Sequence, residues 1–374
     1  MKKRRIVVKI GSSSLTDRAD GLSAELVSEH TAAIAALARA GHEVVLVSSG
    51  AVAAGFRNLG YHSKPASVVS KQAAAAVGQG LLMEAYTEEF KKHGIITAQL
   101  LLTRQDLVNK DRFHNTGRML EELLKRLAVP IINENDSISV EGITFGDNDM
   151  LSALVAGLIH ADHLIILTDV NGIYDGNPHN DPEARKYTYI AEVHDGLLKA
   201  ASGPGSSVGT GGMKSKVLAA RTAGSLGVQV FIGTGNGPEK LLDIVEGRGD
   251  GTYIGSTSRL SGKDSKRWMA FCSVPSGTLT VDEGAARALS AKGTSLLPVG
   301  ITGVSGTFRT GDVANVVDPQ GNLVGRGQVN YPSDVIEDII GKTGDEAMKI
   351  SGGTTPEVIH CNRWIHLKKE EAVR

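Results

Sequence analysis

The feature that most constrains the fold is a regular alternation of short apolar runs and helical patterns along the first two thirds of the chain. β-Branched runs such as 5–10 and 44–47 end in glycine or serine, and segments with apolar residues at helical spacing follow them. Ser23 is placed to cap the first helix, and Gly41 is placed to end it. Strands that alternate with helices predict an α/β three-layer sandwich, in which a mostly parallel central sheet is covered on both faces.

A second, smaller domain is predicted after residue 255. The chain becomes polar there, and short alternating strands separated by Gly and Asp turns follow. Two domains also suit a chain of 374 residues. We therefore expect an α/β domain over 1–255, a linker over 256–275, a small β-rich domain over 276–355 and a tail over 356–374.

The charge balance argues against a protein whose whole surface binds a polyanion. The formal net charge is −1, whereas nucleic-acid and membrane-surface binders normally carry a basic excess. Residues 276–353 hold six Lys and Arg against nine Asp and Glu, so RNA is not expected as a partner.

The cysteines and apolar runs favour a cytoplasmic protein with no membrane partner. Two cysteines, Cys272 and Cys361, are too few for a disulfide scaffold and lie in no metal-ligand spacing. The apolar run Ile6–Ile10 is too short for the core of a signal peptide, and no apolar stretch is long enough to span a bilayer.

Two segments predict a phosphate site at the carboxyl ends of the strands, where open α/β sheets bind ligands. The first strand ends in Lys9, followed by Gly11 and three serines, which offers a buried cation beside backbone N–H groups. The run 209–216 opens a helix with Lys214 and Lys216 in its first turn, where the helix dipole repels cations unless an anion is bound. The alternative interpretation is a set of lysines that reach solvent.

A second group of polar residues predicts a site for a small amino acid. Ser49 and Gly50 end the second strand, while Asn133 and Asp136 follow a later one. Asn148 lies just before a helix. Carboxamides and carboxylates at neighbouring strand ends can bind ammonium and carboxylate groups, but turn and cap chemistry explains the same residue types.

These motifs together resemble the amino acid kinase family. V-K-I-G-S-S, V-S-S-G-A-V-A-A-G, I-N-E-N-D, F-G-D-N-D, L-T-D-V-N-G-I-Y and G-T-G-G-M-K-S-K occur in the family's order over 5–235. The I-N-E-N-D and F-G-D-N-D pair, with S-K-Q-A-A-A-A-V-G-Q-G at 70–80, resembles the members that phosphorylate glutamate. V-D-E-G-A-A-R-A-L in the second domain resembles a PUA domain. The resemblance implies the amino acid kinase fold followed by a PUA-like domain.

The resemblance also implies a reaction and a set of residues for it. ATP would phosphorylate the side-chain carboxylate of L-glutamate, the first step of proline biosynthesis, with proline as feedback inhibitor. The expected catalytic residues are Lys9, Asp149 and Lys216, with Asp149 holding the two lysines in register. The expected substrate-binding residues are Ser49, Gly50, Asn133, Asp136 and Asn148. The expected ATP-binding residues are Lys9, Gly11, Thr168, Asp169, Thr210, Gly211, Gly212, Met213, Lys214, Ser215 and Lys216.

Cofactor and partner expectations follow from the same resemblance. Mg²⁺ is expected to bridge ATP oxygens mainly through water, with no protein ligand assigned to it. We expect a homo-oligomer, and the reductase that consumes glutamate 5-phosphate as a pathway partner. The alternatives are a family member that acts on aspartate or N-acetylglutamate, and an RNA-binding protein. One methylene changes binding by only about 1–3 kcal/mol, so residue spacing does not separate the first two from glutamate.

Overall fold

The computed structural model describes most of the chain as two compact units. The described residues are 2–16, 21–138, 148–176, 178, 181, 183–200, 212–235, 237, 239–255, 273, 275–290, 294–352 and 355–367. One unit comprises Met1–Asp106 with Asn115–Leu260, and the other comprises Leu107–His114 with Ser261–Arg374.

Strands and helices alternate up to residue 255. The strands are β1 (Arg5–Ile10), β2 (Glu43–Ser48), β3 (Thr97–Leu102), β4 (Val129–Glu134), β5 (His163–Leu167), β6 (Ile173–Tyr174), β7 (Lys186–Tyr187), β8 (Tyr189–Ile190), β9 (Gln229–Gly233) and β10 (Thr252–Ile254). The helices are α1 (Ala24–Arg39), α2 (Ala51–Gly55), α3 (Val68–Lys92), α4 (Arg104–Val108), α5 (Lys110–Lys125), α6 (Asn148–Leu158), α7 (Asp195–Ala200), α8 (Met213–Ser225) and α9 (Lys240–Val245).

Eight of these strands form one twisted sheet, and β6 pairs with β7 in a separate hairpin. The sheet order is β3-β4-β2-β1-β5-β9-β10-β8, and every neighbouring pair is parallel except β9 with β10. The sheet is therefore mostly parallel, and the predicted α/β fold class is confirmed.

The central strand β1 is buried on both faces because helices cover each side of the sheet. Ile6, Val8 and Ile10 belong to a core that also takes side chains from α1, α3 and α9. Val7 points to the opposite face and is equally buried, and α6, whose side chains are buried along its whole described length except for Asn148, packs on that side. An apolar run without alternation is the expected sequence of such a strand.

Ser23 caps the first helix as the sequence predicted. The Ser23 hydroxyl accepts a hydrogen bond from the backbone N–H of Leu26 at 3.3 Å, and α1 ends at Arg39, just before Gly41. The 25-residue helix α3 was not predicted as a helix, because its alanine- and glycine-rich sequence has no strong apolar periodicity. Its start is capped by Ser67.

In the part of the second unit that the structure describes after residue 272, a five-stranded sheet is accompanied by three helices. Its strands are β11 (Gly277–Val281), β12 (Ile301–Ser305), β13 (Val313–Val317), β14 (Leu323–Gln328) and β15 (Trp364–His366). Its helices are α10 (Glu283–Ser290), α11 (Ser333–Ile339) and α12 (Gly344–Ser351). The order is β12-β11-β13-β14-β15, and only β11 and β13 run parallel.

The second sheet extends past residue 355, where the sequence predicted a tail to begin. Strand β15 pairs with β14, and the Trp364 indole N–H donates to the Leu289 carbonyl oxygen at 3.0 Å. Val358 and Ile359 are buried in the same core. The sequence missed this because a three-residue strand after an irregular segment has no visible period.

Candidate active site at the carboxyl edge of the sheet

The register of the parallel strands brings the predicted site residues to one edge of the sheet. Ile10 pairs with Ser48 on one side and with Leu167 on the other. The residues that follow these three, namely Gly11, Ser49 and Thr168, therefore lie side by side. The Ser49 N–H donates to the Ile10 carbonyl oxygen at 3.1 Å, which extends the pairing past the end of the strand.

Lys9 and Lys216 converge on one buried carboxylate. The Lys9 Nζ lies 2.6 Å from Asp149 Oδ1, and the Lys216 Nζ lies 3.1 Å from Asp149 Oδ2. All three side chains are buried, and Asp149 is completely inaccessible to solvent. Residues from β1, α6 and α8 thus meet although they are far apart in sequence. The predicted convergence of the two lysines is observed.

The lysines keep this carboxylate ionised. Burial by itself raises the pKa of Asp149, but the charges of Lys9 and Lys216, with hydrogen bonds from Lys9 and Ser215, bring that pKa below its ordinary value. The Ser215 hydroxyl donates to Asp149 Oδ2 at 2.9 Å. Two cations share one anion, so the trio carries an excess positive charge in a buried place. An anionic ligand such as a phosphate group would offset that charge.

The start of α8 lies beside the two lysines. Gly212 precedes the helix, and the Ser215 N–H donates to the Gly212 carbonyl oxygen at 3.0 Å, which closes the first turn. The side chain of Lys214 is exposed, whereas that of Lys216, two residues on, is buried. Met213 is half-buried in the first turn. Of the two lysines in this turn, Lys216 is therefore the one directed to Asp149.

A chain of side-chain amides lies at the ends of β2 and β4. The Asn148 Nδ2 donates to Ser49 Oγ at 2.8 Å and to Asn133 Oδ1 at 2.9 Å. The Asn133 Nδ2 donates in turn to Gln79 Oε1 at 2.9 Å. Three of the predicted substrate residues are thus in direct contact. Gln79, on α3, was not assigned a role from the sequence, although its motif at 70–80 was noted.

Gly50 requires glycine for its backbone conformation. Its φ is +112°, a left-handed value that lets the chain turn from β2 into α2.

Gly55, in the same motif, is needed for the packing of α2 against α3. A Cβ on Gly55 would lie 2.1 Å from the Ala74 carbonyl oxygen, so this glycine allows α2 and α3 to cross closely. Close packing of one helix on another is therefore what the structure shows at Gly55.

Asp136 lies in the turn that follows β4, and burial raises its pKa above the ordinary value for aspartate. A nearby cation, such as an ammonium group, would offset the cost of ionising this carboxyl group in its buried position.

Thr168 and Asp169 follow β5. The Thr168 hydroxyl donates to Asp169 Oδ1 at 3.0 Å, and its N–H donates to the Gly233 carbonyl oxygen at 3.1 Å. Both residues therefore lie at the same edge as Lys9.

Some predicted residues lie outside the part of the chain that the structure describes. These are Thr210 and Gly211, together with Phe145, Gly146 and Asp147 of the F-G-D-N-D motif and most of the glycine-rich segment 202–212. Among the described residues, no group of three or more His, Cys, Asp and Glu is arranged to hold a metal ion. None of the described helices combines the length and apolarity needed to cross a bilayer.

Comparison with known proteins agrees with the fold and with the motifs. Residues 4–234 match the family model described as the amino acid kinase family, and residues 277–360 match that of the PUA domain. The first match spans more than half of the chain, so this chain belongs to the amino acid kinase family.

Individual relatives within this family are similar to the chain over its full length. The chain is 55% identical over 367 residues to the glutamate 5-kinase of Bacillus cereus strain G9842, covering 98% of this chain and 100% of the relative. It is 53% identical over 374 residues to the glutamate 5-kinase of Geobacillus thermodenitrificans strain NG80-2, covering 100% of both. Among solved structures, a carbamate kinase from Giardia lamblia bound to AMP-PNP aligns at 16% identity, with a TM-score of 0.49 over 68% of this chain and 98% of that one.

Proposed function

We propose that this protein transfers the γ-phosphoryl group of ATP to the side-chain carboxylate of L-glutamate, giving ADP and L-glutamate 5-phosphate. This is the first step of proline biosynthesis from glutamate. The observation that carries the proposal is the meeting of Lys9 and Lys216 on Asp149, beside the amide chain of Asn133 and Asn148. The full-length likeness to glutamate 5-kinases supports glutamate as the acceptor.

The reaction needs charge stabilisation more than proton transfer. A glutamate side chain, with an ordinary pKa of about 4.3, is already an ionised nucleophile near neutral pH. One of its oxygens forms a bond to the γ-phosphorus, and the bond from that phosphorus to the β–γ bridging oxygen breaks, so that ADP leaves with the electron pair. No proton moves in this step. The difficulty is the approach of an anion to a polyphosphate, which positive charge and positioning overcome.

Lys9 and Lys216 would supply the positive charge. Both ammonium groups are fixed on the same carboxylate, so they are oriented before ATP binds and need little reorganisation during transfer. Asp149 would position them without acting as a base, because the two lysines lower its pKa and engage both of its oxygens. Ser215 would complete this arrangement through its hydrogen bond to Asp149.

The amino acid would bind at the amide chain. The Ser49 hydroxyl and the backbone at Gly50 would bind a carboxylate of glutamate, with Asn133 and Asn148 beside them. Asp136, whose pKa is raised by burial, would bind the ammonium group, since a cation offsets the cost of its buried charge. These roles rest on residue chemistry and on the likeness to glutamate 5-kinases.

The nucleotide would bind beside the carboxyl ends of β1 and β5 and the N-terminus of α8. We place its phosphates at Lys9, Gly11 and the run 210–216, and the rest of the nucleotide near Thr168 and Asp169. Mg²⁺ commonly keeps several waters and binds substrate phosphates rather than protein cages, so we place it on ATP. The described residues contain no cluster that could hold it by themselves. When bound, it would neutralise phosphate charge.

The function is tested by a coupled assay of ADP release with hydroxylamine present. Glutamate, aspartate and N-acetylglutamate are compared side by side at matched concentrations. We expect ADP release and a hydroxamate product with glutamate at a kcat/KM at least about tenfold above the other two, a difference of about 1.4 kcal/mol. ADP release with glutamate but no hydroxamate would contradict transfer to a carboxylate. A preference for aspartate or N-acetylglutamate would assign the chain another substrate.

Regulation and assembly are proposed on the likeness alone. We propose feedback inhibition by proline, a homo-oligomeric state and delivery of the labile acyl phosphate to a glutamate-5-phosphate reductase. A titration of the activity with proline tests the first of these. A rate that stays constant across the titration would contradict it.

A further inference from the structure

A backbone group fixes the direction of the amide chain at the amino-acid site. Asn133 Oδ1 accepts a hydrogen bond from the Glu134 N–H at 2.9 Å. A backbone N–H is only ever a donor, so the oxygen of this carboxamide must face it. The Asn133 nitrogen therefore faces the other way, towards Gln79.

The orientation of the Asn133 side chain in turn fixes that of Asn148, which lies between Asn133 and Ser49. Asn148 must offer its nitrogen to Asn133 Oδ1 and to Ser49 Oγ. Its own oxygen is left buried, and no described residue donates to it. Because Ser49 Oγ already accepts a hydrogen bond, its hydroxyl hydrogen is available for another acceptor. The site thus presents one acceptor, Asn148 Oδ1, and one donor, the Ser49 hydroxyl. The Glu134 N–H sets both through the orientation of Asn133.

Gln79 occupies the far end of the chain and is held there by helix packing. Gly78, its neighbour, lies so close to α2 that a Cβ at this position would be 1.9 Å from the Ala51 carbonyl oxygen. Asn133 is 2% exposed, so solvent does not replace Gln79 as the partner of its side-chain nitrogen. Without Gln79 Oε1, the Asn133 side chain would have to leave a buried donor unpaired or rotate.

We propose that Gln79 is a positioning residue of the amino-acid site. It holds Asn133 in one rotamer, so that Asn148 presents its oxygen to the ammonium group of the substrate and Ser49 presents its hydroxyl hydrogen to a carboxylate. Gln79 acts through Asn133 and lies outside the phosphate site formed by Lys9 and Lys216. This inference rests on the proposed function, since it assumes an amino-acid substrate at the amide chain.

The test compares Gln79→Met, which keeps the side-chain length but removes the acceptor, with Gln79→Glu, which keeps an acceptor oxygen. Gln320→Met, at an exposed turn of the second unit, is the matched control. We expect Gln79→Met to raise the KM for glutamate about tenfold while the KM for ATP changes less than about twofold. Gln79→Glu is expected to stay closer to the wild type than Gln79→Met, in spite of its added charge. The control is expected to change neither constant.

A double-mutant cycle separates positioning from a general structural effect. In an Asn148→Ala background the side chain that Gln79 orients through Asn133 is absent, so Gln79→Met is expected to raise the KM for glutamate less than about twofold. An equal rise in both KM values, or the full tenfold rise in both backgrounds, would overturn the inference. If Gln79→Met does not fold, Gln79→Glu decides, and a tenfold rise there would count against us.

The wild type separates this inference from the proposed function. A wild-type protein that phosphorylates glutamate, together with a Gln79→Met variant of unchanged KM, would sink the inference alone. A folded wild-type protein that releases no ADP with glutamate would sink the proposed function and this inference with it.

Discussion

At the scale of single residues, the buried ion pairs of Asp149 explain why two lysines can sit at the edge of a closely packed sheet. A buried cation is stable only when an anion lies near it, and Asp149 meets that condition for both Lys9 and Lys216. The same arrangement leaves more positive than negative charge in the cluster. Stability and the proposed phosphate binding would therefore depend on the same three side chains.

Replacing Lys9 with methionine tests the phosphate assignment. The variant keeps most of the side-chain stem, and Lys216 and Ser215 still bind Asp149, so the protein is expected to fold. The kcat is expected to fall by roughly 10²–10³, the usual cost of losing one preorganised group that stabilises developing charge. Steady-state kinetics and thermal unfolding measure the two effects. Lys92→Ala, at an exposed ion pair on α3, is the control. A folded variant with full activity would remove Lys9 from the phosphate site.

His30 predicts a pH dependence of stability. It is 5% exposed on α1, its Nε2 lies 3.0 Å from the Ser14 carbonyl oxygen, and burial lowers its pKa from 6.5 to about 4. The folded state therefore favours the neutral ring, while the unfolded state takes up a proton below pH 6.5. The contribution of His30 is complete above pH 6.5 and is lost progressively as the pH falls towards 4.

The measurement is urea unfolding of the wild type and of His30→Gln at about pH 8 and about pH 5. We expect the wild type to lose about 2 kcal/mol more than the variant between these two pH values, because only the wild type carries this titration. His62→Gln, at an exposed histidine, is expected to behave like the wild type. Parallel pH curves for the wild type and His30→Gln would show that the ring titrates normally in the folded protein.

At the scale of secondary-structure elements, two glycines control how α2 and α3 approach each other. A Cβ on Gly55 or on Gly78 would lie within 2.1 Å of a carbonyl oxygen of the facing helix. Side chains larger than hydrogen would therefore force the helices apart. This crossing also places α3, and Gln79 on it, beside the end of β4.

Gly78→Ala tests this crossing against a control on the same helix. The added methyl group would lie 1.9 Å from the Ala51 carbonyl oxygen, so we expect a loss of about 3 kcal/mol, the upper end of the usual cost of overpacking, in the free energy of unfolding. A Cβ on Gly80 meets no atom within 4 Å, so Gly80→Ala is expected to leave stability unchanged or to raise it by up to about 1 kcal/mol. Urea denaturation compares the two. Equal effects would mean that the crossing is not a close contact in solution.

At the scale of the whole molecule, the charge balance bears on the function of the second domain. Residues 277–360 match the PUA domain, yet residues 276–353 hold more acidic than basic side chains. A surface that binds the phosphates of RNA normally shows the opposite sign. We therefore expect the domain to contribute to something other than RNA binding.

The full-length protein is accordingly expected not to bind RNA. Filter binding or electrophoretic mobility with a mixed-sequence RNA at about 50 mM salt, where electrostatic binding is strongest, is expected to show no retention at micromolar protein. Bovine serum albumin serves as an acidic control and a basic RNA-binding protein as a positive one. Retention that weakens steeply with added salt would contradict the expectation and revive the RNA-binding alternative.

The sequence by itself determined the class of fold and most of the strands. Buried parallel strands need continuous apolar runs, and β1 and β2 lie where such runs were seen. The cap at Ser23 and the lysines at the strand end and helix start were also visible, because they are local signals. The strand β15 and the long helix α3 carry no strong local period, and they were missed.

Only the folded chain shows how the polar residues contact one another. Nothing local in the sequence pairs Lys9 with an aspartate 140 positions later, and nothing marks Gln79 as the partner of Asn133. The parallel register places the carboxyl ends of β1, β2 and β5 side by side. The close contact of α2 with α3 at Gly55 and Gly78 brings α3 next to the site. Distances between elements depend on packing, which the periodicity of a sequence does not encode. The types of residue around Asp149 could therefore be predicted from the sequence, but their contacts could be seen only in the folded chain.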